Sequence, residues 1–598
     1  MSFLFRCRSN YSRKILRRFS YSYSSDKSLD SDGFNRSWVS ELVSKQHWRD
    51  LRILVRETNP NRFLQLLFES EAEPEIIIGY FRWSEKEFRL SYSLDCCCRL
   101  LHLLANGKKY GEIRSLLNYF VKSERHSNSS FFHMIAVLSN GSRANSMIIV
   151  DMLILAYVKN SRLNSALEAF QRAGDYDFRL SILSCNPLLN ALLKEGKIAA
   201  VEPMFKDMIR RKITPNSITF NTVINGLCKA GKLQKARDLV EDMKSWGCSP
   251  SVITYNTLID GYCKMGRVGK MYKADALLKE MVSSKICPNE TTFNILIHGY
   301  CKDENTPAAM KLFEEMKRQN LKPNVITYNS IINGLCNEGK LDEALNLQNE
   351  MMGLNLKPSI VTYNVLINGF SKKRMFKEAM VLFSTIADQG LFPNVITFNT
   401  LIDAYCKSGE MEEAIRLHDL MLEREVQPNV STYNCLIAGF CGEQKMEGAS
   451  KLLDEMADKG VPADLVTYNI LIGALCREGE SRKAVRLLHE MFEIGVRPSH
   501  VTYNTLMDGF CRERNLRAAL NLRIQMEKVG MRANVVTYNV LIRGLCQRDK
   551  LEDANRLLNE MLEKGLIPNR VTYEIVREEM MDKGFVPDIE GHLCSDVS

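Results

Sequence analysis

The chain has 598 residues, 45% hydrophobic and 25% charged, a composition that can bury a core and excludes wholesale disorder. No run of about 18 uninterrupted apolar residues occurs, which excludes a membrane-spanning helix of the usual kind. The formal net charge of +9, from 80 basic against 71 acidic residues, is too small to point to a nucleic-acid partner in bulk, so the placement of the charges carries more weight.

In chain order, the first predicted element is a basic segment. From Met1 to Ser25 the sequence holds Arg6, Arg8, Arg13, Lys14, Arg17 and Arg18 with several serines and no acidic residue before Asp26. This resembles an organelle transit peptide, and Arg17-Arg18-Phe19-Ser20 fits a mitochondrial processing site that would release residues 1–19. Chloroplast import and a basic tail without an address are the alternatives. Residues 20–75 form a poorly defined segment. Residues 76–146 read as degenerate helical hairpins, plainest from Ser93 to Ser123, and 147–181 as a weaker copy of the unit that follows.

From 182 to 569 the pattern is regular. Full units begin at Ile182, Ser217, Val252, Glu290, Val325, Ile360, Val395, Val430, Leu465, His500 and Val535, 35 residues apart except that the Val252 unit holds three more around Val268 to Lys273. That insertion is predicted to bulge at the start of its second helix. Within the Ser217 unit, Phe220, Val223, Ile224, Leu227 and Cys228 share one helix face, and after Gly231 the residues Leu233, Ala236, Leu239, Val240 and Met243 repeat the spacing. Gly247 and Pro250 then stop the second helix. One such hairpin cannot bury its apolar face alone, whereas stacked neighbours form a continuous core with the first helices lining a concave side, an α-solenoid. Residues 570–588 keep the beginning and end of a unit without its middle and read as a truncated cap, followed by a tail at 589–598.

The 18 cysteines include no Cys-x-x-Cys pair. Cys228, Cys263, Cys301, Cys336, Cys406, Cys441, Cys476, Cys511 and Cys546 recur at one place in the unit. Stacked helices lie about 8–10 Å apart, too far for disulfides, so these are predicted core thiols in a small apolar slot, implying a reducing compartment. Gly226 costs about 1 kcal/mol in a helix, and its recurrence at Gly261, Gly299, Gly334, Gly369, Gly439, Gly509 and Gly544 predicts close helix approach.

The run Val535-Val536-Thr537-Tyr538-Asn539-Val540-Leu541-Ile542-Arg543-Gly544-Leu545-Cys546, closing on Ile567-Pro568-Asn569, resembles the pentatricopeptide repeat family of plant organelles, in its P class of uniform units. The resemblance covers about residues 147–588. It implies an all-α fold, a right-handed superhelical α-solenoid of stacked helix-turn-helix repeats, that binds single-stranded RNA one base per repeat through two or three side chains. The related tetratricopeptide repeats differ by a Trp-x-x-Leu-Gly-x-x-Tyr pattern absent here.

The family's reading positions correspond to the fifth and last places of the unit. The fifth is Asn186, Asn221, Asn256, Asn294, Asn329, Asn364, Asn399, Asn434, Asn469, Asn504 and Asn539. Asn is a mediocre helix former whose amide offers donors and an acceptor; stabilising the first turn locally is its other possible role. The last place is Asn216, Ser251, Asn289, Asn324, Ser359, Asn394, Asn429, Asp464, Ser499, Asn534 and Asn569, residue types that equally suit a helix N-cap. The second place, which in the family packs on bases, holds Ile218, Ile253, Ile326, Val361, Ile396, Val466, Val501 and Val536, with polar Thr291 and Ser431 as departures. The family's pairing preferences give U for Asn with Asp, C for Asn with Ser, and either pyrimidine for Asn with Asn. The implied target is a pyrimidine-rich run, Y-C-Y-Y-C-Y-Y-U-C-Y-Y, with the chain's amino terminus toward the RNA 5′ end. Glu574 stands where the cap would carry its Asn, and no base is assigned there.

Lys194, Lys229, Lys264, Lys302, Lys372, Lys407, Arg477 and Arg512 recur near the end of the first helix. They complement the helix dipole or, in register along a groove, neutralise phosphates. No zinc deaminase signature and no His-Glu-x-x-His occur, so the sequence implies no enzyme, cofactor or metal. The predicted role is a binder that stabilises, processes, splices or promotes translation of an organelle transcript, alongside possible RNA-processing or ribosomal factors. A protein-binding scaffold is the alternative.

Overall fold

In the computed structural model, the residues described run from 60 to 585, apart from 70–72, 89–92, 124–126, 139–142 and 266–270, with a few more between 43 and 52. The predicted transit peptide and the tail at 589–598 lie outside them. Among the described residues every regular element is helical and none is long and apolar enough to cross a membrane. The chain divides into two compact units, Met1–Gly299 and Tyr300–Ser598.

The first unit opens with helices Pro60–Glu69, Pro74–Phe88, Leu94–Asn106, Tyr110–Ser123, Asn128–Leu138, Arg143–Lys159 and Leu163–Asp175. Helical structure is therefore present within the segment 20–75, where the sequence shows no clear pattern. Regular hairpins follow, and Ser217–Lys229 with Leu233–Ser245 is typical. Asn216 starts the pair as an extended N-cap whose side chain accepts from the Thr219 N–H, while the Thr219 hydroxyl accepts from the Asn216 N–H. Two of the otherwise orphaned backbone donors at the helix start are thereby satisfied. Gly231 at φ +74° turns the chain into the second helix, and Gly247 at φ +73° ends it, a left-handed conformation that costs glycine nothing.

The second unit repeats this construction from Val325–Glu338 and Leu341–Gly353 through Val535–Cys546 and Leu551–Glu563. Each of these first helices packs on its own second helix and on the first helix of the next repeat. Tyr328, Tyr363, Tyr433, Tyr503 and Tyr538 are essentially fully buried between them, each burial contributing about 1.5–3 kcal/mol. A polar tip on such a ring needs a partner. The hydroxyls of Tyr328, Tyr433, Tyr468 and Tyr538 find one in Glu350, Glu455, Glu490 and Glu560 of the second helix, at 2.9–3.2 Å. The unit closes on Arg570–Ile575, which continues as the π-type turn Val576–Met581.

The recurring glycines and cysteines meet as the sequence predicts. A Cβ built on Gly261, Gly369 or Gly509 would stand 2.6–2.7 Å from the Sγ of Cys228, Cys336 or Cys476 in the preceding repeat. Burial pushes the Cys228 and Cys336 thiols up to about 12, so they remain neutral packing groups. Most of the insertion in the Val252 repeat, residues 266–270, lies outside the described residues. The second helix of this repeat, Met271–Ser283, has the same 13-residue length as Leu233–Ser245. Met271 takes the buried place of Leu233, its side chain reaching Gly299 as that of Leu233 reaches Gly261. The apolar register of the helix is therefore that of the other repeats.

Candidate functional site

From Ser217 onward, each first helix begins with the same arrangement. The last residue of one repeat is the N-cap of the next helix: Asn216, Ser251, Asn324, Ser359, Asn394, Asn429, Asp464, Ser499, Asn534 and Asn569 all adopt extended backbone and join a capping box. Asn289 makes the same two bonds with Thr292. The capping role weighed for this position is therefore present throughout. It does not consume the whole side chain, because one oxygen serves the cap and the Asn Nδ2 or the second Asp oxygen is left over.

The fifth-place asparagines lie beside these caps. Asn256, Asn364, Asn434, Asn504 and Asn539 are only 5–9% exposed, and the others are half-buried. The Nδ2 of Asn186, Asn256, Asn364, Asn399, Asn434 and Asn539 donates to the Oδ1 of Asn216, Asn289, Asn394, Asn429, Asp464 and Asn569 at 3.1–3.4 Å. In these repeats the two candidate reading residues thus form one hydrogen-bonded pair. An amide so engaged keeps one N–H and one lone pair for a ligand.

A residue type that the sequence reading passed over completes the arrangement: the third-place Thr, fully buried at Thr219, Thr254, Thr362, Thr397, Thr432, Thr467, Thr502 and Thr537. Its hydroxyl donates to the fifth-place Asn of the preceding repeat. Thr219 reaches Asn186, Thr254 Asn221, Thr292 Asn256, Thr362 Asn329, Thr397 Asn364, Thr432 Asn399, Thr467 Asn434, Thr502 Asn469, Thr537 Asn504 and Thr572 Asn539, all at 2.7–2.9 Å. The signal available in the sequence was the spacing of a polar cap followed three residues later by Thr in nearly every repeat. At the front of the array Ser184 and Asp151 stand in the same relation.

Beside each recessed pair an apolar side chain stands in the open. Ile218, Ile253, Ile326, Val361, Ile396, Val466, Val501 and Val536 are 51–65% exposed, which is unusual for a row of β-branched residues on helices that bury their other apolar groups. Leu183, at 76%, extends the row into the Ile182 repeat, and Val571 extends it into the cap. Thr291 and Ser431 hold the same exposed place. Glu574 in the cap pairs with Arg570 at 2.7 Å.

The basic row is less available than its spacing suggests. Lys264, Lys407 and Arg512 are tied at 2.6–2.7 Å to Asp260, Asp403 and Asp508 one turn earlier, and Lys372 donates to Asn337 at 2.9 Å. Lys194, Lys229 and Arg477 are exposed, and Lys302 lies at the same exposed place. Asp464 is the one cap with charge. Its burial opposes ionisation, but bonds from the Thr467 N–H and the Asn434 amide outweigh this and hold its carboxyl below the ordinary Asp value. It is therefore a carboxylate near neutrality. No group of three or more His, Cys, Asp or Glu that could hold a metal occurs among the described residues.

Two pentatricopeptide repeat-containing proteins of Arabidopsis thaliana resemble the chain. One is 31% identical over 149 residues, 24% of this chain and 13% of its own length. The other, named mitochondrial, is 30% identical over 181 residues, 30% of this chain and 34% of its own length. The chain thus spans about a third or less of these curated relatives. Among solved structures, the pentatricopeptide repeat protein PPR10 in complex with an 18-nt psaJ RNA element aligns over 96% of this chain and 98% of its own, at 19% identity and a TM-score of 0.41. The PPR repeat family matches residues 180–229, 215–264, 265–302, 291–337, 323–372, 358–407, 393–442, 428–477, 463–512, 498–547 and 533–577. With most of the chain matched in this way, the protein belongs to the PPR repeat family.

Proposed function

We propose that this protein is a P-class member that binds single-stranded, pyrimidine-rich RNA, one base per repeat, on a mitochondrial or chloroplast transcript. The observation that carries the reading is the repeated pairing of an exposed aliphatic side chain with a recessed amide bonded to a polar cap, as in Val361 and Asn364 with Asn394, or Ile396 and Asn399 with Asn429. The aliphatic group offers a surface to a base face, and the polar pair offers hydrogen bonds to its edge, the two needs of single-strand recognition. The chemistry of the caps sets the choice of base. A carboxylate at Asp464 accepts, which suits the N3–H of uracil, while an Asn cap presents Nδ2 donors, which suit the N3 of cytosine and also the carbonyl oxygens of either pyrimidine. Serine can do both.

The uniform Asn at the fifth place makes the array a separator of pyrimidines from purines more than of C from U. Bound RNA would be shielded from nucleases or presented to processing, splicing or translation factors, with catalysis left to those factors. The test exchanges one pair: N434T together with D464N should move the preferred base opposite the Val430 repeat from U toward A in oligonucleotide binding. Equal loss for all four bases at that place would show that the repeat does not read it. Sequencing RNA recovered with the protein from organelles identifies the transcript, and absence of a pyrimidine-rich footprint would count against the reading.

A further inference from the structure

The amide of Asn434 is held from outside its own repeat. Thr467, three residues into the following repeat and 0% exposed, accepts the Asp464 N–H at 3.1 Å. Its hydroxyl hydrogen must then point elsewhere, and the nearest acceptor is Asn434 Oδ1 at 2.7 Å, with Asp464 Oδ1 at 3.0 Å. The Thr467 N–H also donates to Asp464 Oδ1 at 2.9 Å. Both candidate reading groups of the Val430 repeat are thus held by one residue of the Leu465 repeat, Asn434 by the Thr467 hydroxyl and Asp464 by the Thr467 backbone N–H. The terminal torsion of an Asn is broad and nearly two-fold, so an unheld amide can turn over and present its oxygen where its N–H stood. With its Oδ1 on the Thr467 hydroxyl and its Nδ2 donating to Asp464 Oδ1 at 3.3 Å, the Asn434 amide would lose both bonds on turning, and the hydroxyl selects the end that faces it.

We propose that the third-place hydroxyl of each repeat is the positioning residue for base selection by the repeat before it, so that every base site is completed by two repeats. This rests on the RNA reading of the same site. It gives the incomplete carboxy-terminal unit a purpose: Thr572 donates to Asn539 at 2.9 Å and approaches Asn569 Oδ1 at 3.1 Å, so the half-repeat supplies what the Val535 site lacks. A full second helix is not needed for that. The first full repeat makes the corresponding contact to the degenerate unit before it, Ser184 donating to Asp151, so a serine hydroxyl reaches the same place.

The test uses the full chain and synthetic RNA of the predicted run, varied to U, C, A or G opposite the Val430 repeat and, separately, opposite the Leu465 repeat, with affinity read by fluorescence anisotropy. T467V should lower the preference for U opposite the Val430 repeat by roughly tenfold, the order expected for losing control of one hydrogen-bonding edge. Selection opposite the Leu465 repeat, whose Asn469 is held by Thr502, should be unchanged, and T467S should restore the wild-type pattern. A role limited to capping its own helix would instead weaken all RNAs alike. Retained U preference in T467V, or loss confined to the Leu465 base, overturns the proposal. T572V, which faces only the Val535 repeat before it, repeats the measurement at the base of that repeat with the same two outcomes. If N434T with D464N shifts base choice and neither valine variant does, only the positioning role fails. If none of the three moves any base, the RNA reading fails and takes the proposal with it.

Discussion

Gly369 lies against Cys336 so closely that a Cβ on the glycine would stand 2.7 Å from both the Sγ and the Cβ of the cysteine. Neither atom is the far end of a flexible chain, so the helices themselves would have to part. Overpacking of this kind costs about 1–3 kcal/mol, more than the roughly 1 kcal/mol of helix propensity that alanine returns. Gly473 provides the contrast, since the nearest atoms to its added Cβ are 3.8 Å away. Thermal melts should therefore show G369A destabilised and G473A unchanged or stabilised by up to about 1 kcal/mol. Equal effects at the two sites would mean that helix approach is not what the recurring glycine serves.

Glu560 predicts a pH dependence. Burial alone would raise its carboxyl, but bonds from Lys564 at 2.8 Å and from Arg523, the Arg523 charge, and the Tyr538 hydroxyl at 3.0 Å bring it to about 2 from an ordinary 4.5. A carboxylate with a depressed folded value contributes stability that is complete above the unfolded value and is lost as pH falls through the folded one. The difference in urea midpoint between wild type and E560Q should thus correspond to about 1–2 kcal/mol at neutrality. It should shrink between about pH 4.5 and pH 2. Parallel curves over that range would remove Glu560 as the source.

The hairpins, their starts and the Gly–Cys approach were legible in the sequence because they rest on contacts that repeat at fixed short spacing, as Phe220, Val223, Ile224 and Leu227 do within one helix. The Thr467–Asn434 bond was not, because its partners are 33 residues apart and only stacking of one repeat on the next brings them together. Leu183 was missed for another reason: an apolar residue at a helix start reads as core, and only its 76% exposure separates it from its neighbours. The Asp260–Lys264 pair was within reach, being four residues apart on one helix, the spacing at which opposite charges meet. Reading the basic residues as a row without their acidic neighbours overstated the charge available to phosphates.

The exposed aliphatic row predicts a gain of affinity as well as losses. Ser431 occupies the open place filled by valine or isoleucine elsewhere, so S431V adds apolar surface where a base face would lie. At about 25 cal/mol per Å² of apolar area covered, a partly covered valine should tighten binding of the predicted RNA about threefold, and I396A should weaken it by a similar or larger factor. Both are read from titrations at one salt concentration. Unchanged affinity in both variants would separate this row from the bound RNA.

The ion pairs of the first helices predict how salt acts. A lysine already paired to an aspartate brings little net charge to a phosphate, so Lys264 with Asp260 and Lys407 with Asp403 should release few counterions when RNA binds. Lys229, exposed and preceded one turn earlier by the neutral Asn225, should release its full share. For single strands, each phosphate neutralised changes the slope of log affinity against log salt by about 0.7. K229Q should therefore flatten the slope by about that amount, whereas K264Q should flatten it less. D260N works in the opposite direction, removing the charge paired with Lys264, and should steepen the slope and tighten binding at low salt. A slope unmoved by both K229Q and D260N would leave these cations their other role, complementing the carbonyl end of the first helix, with no part in holding RNA.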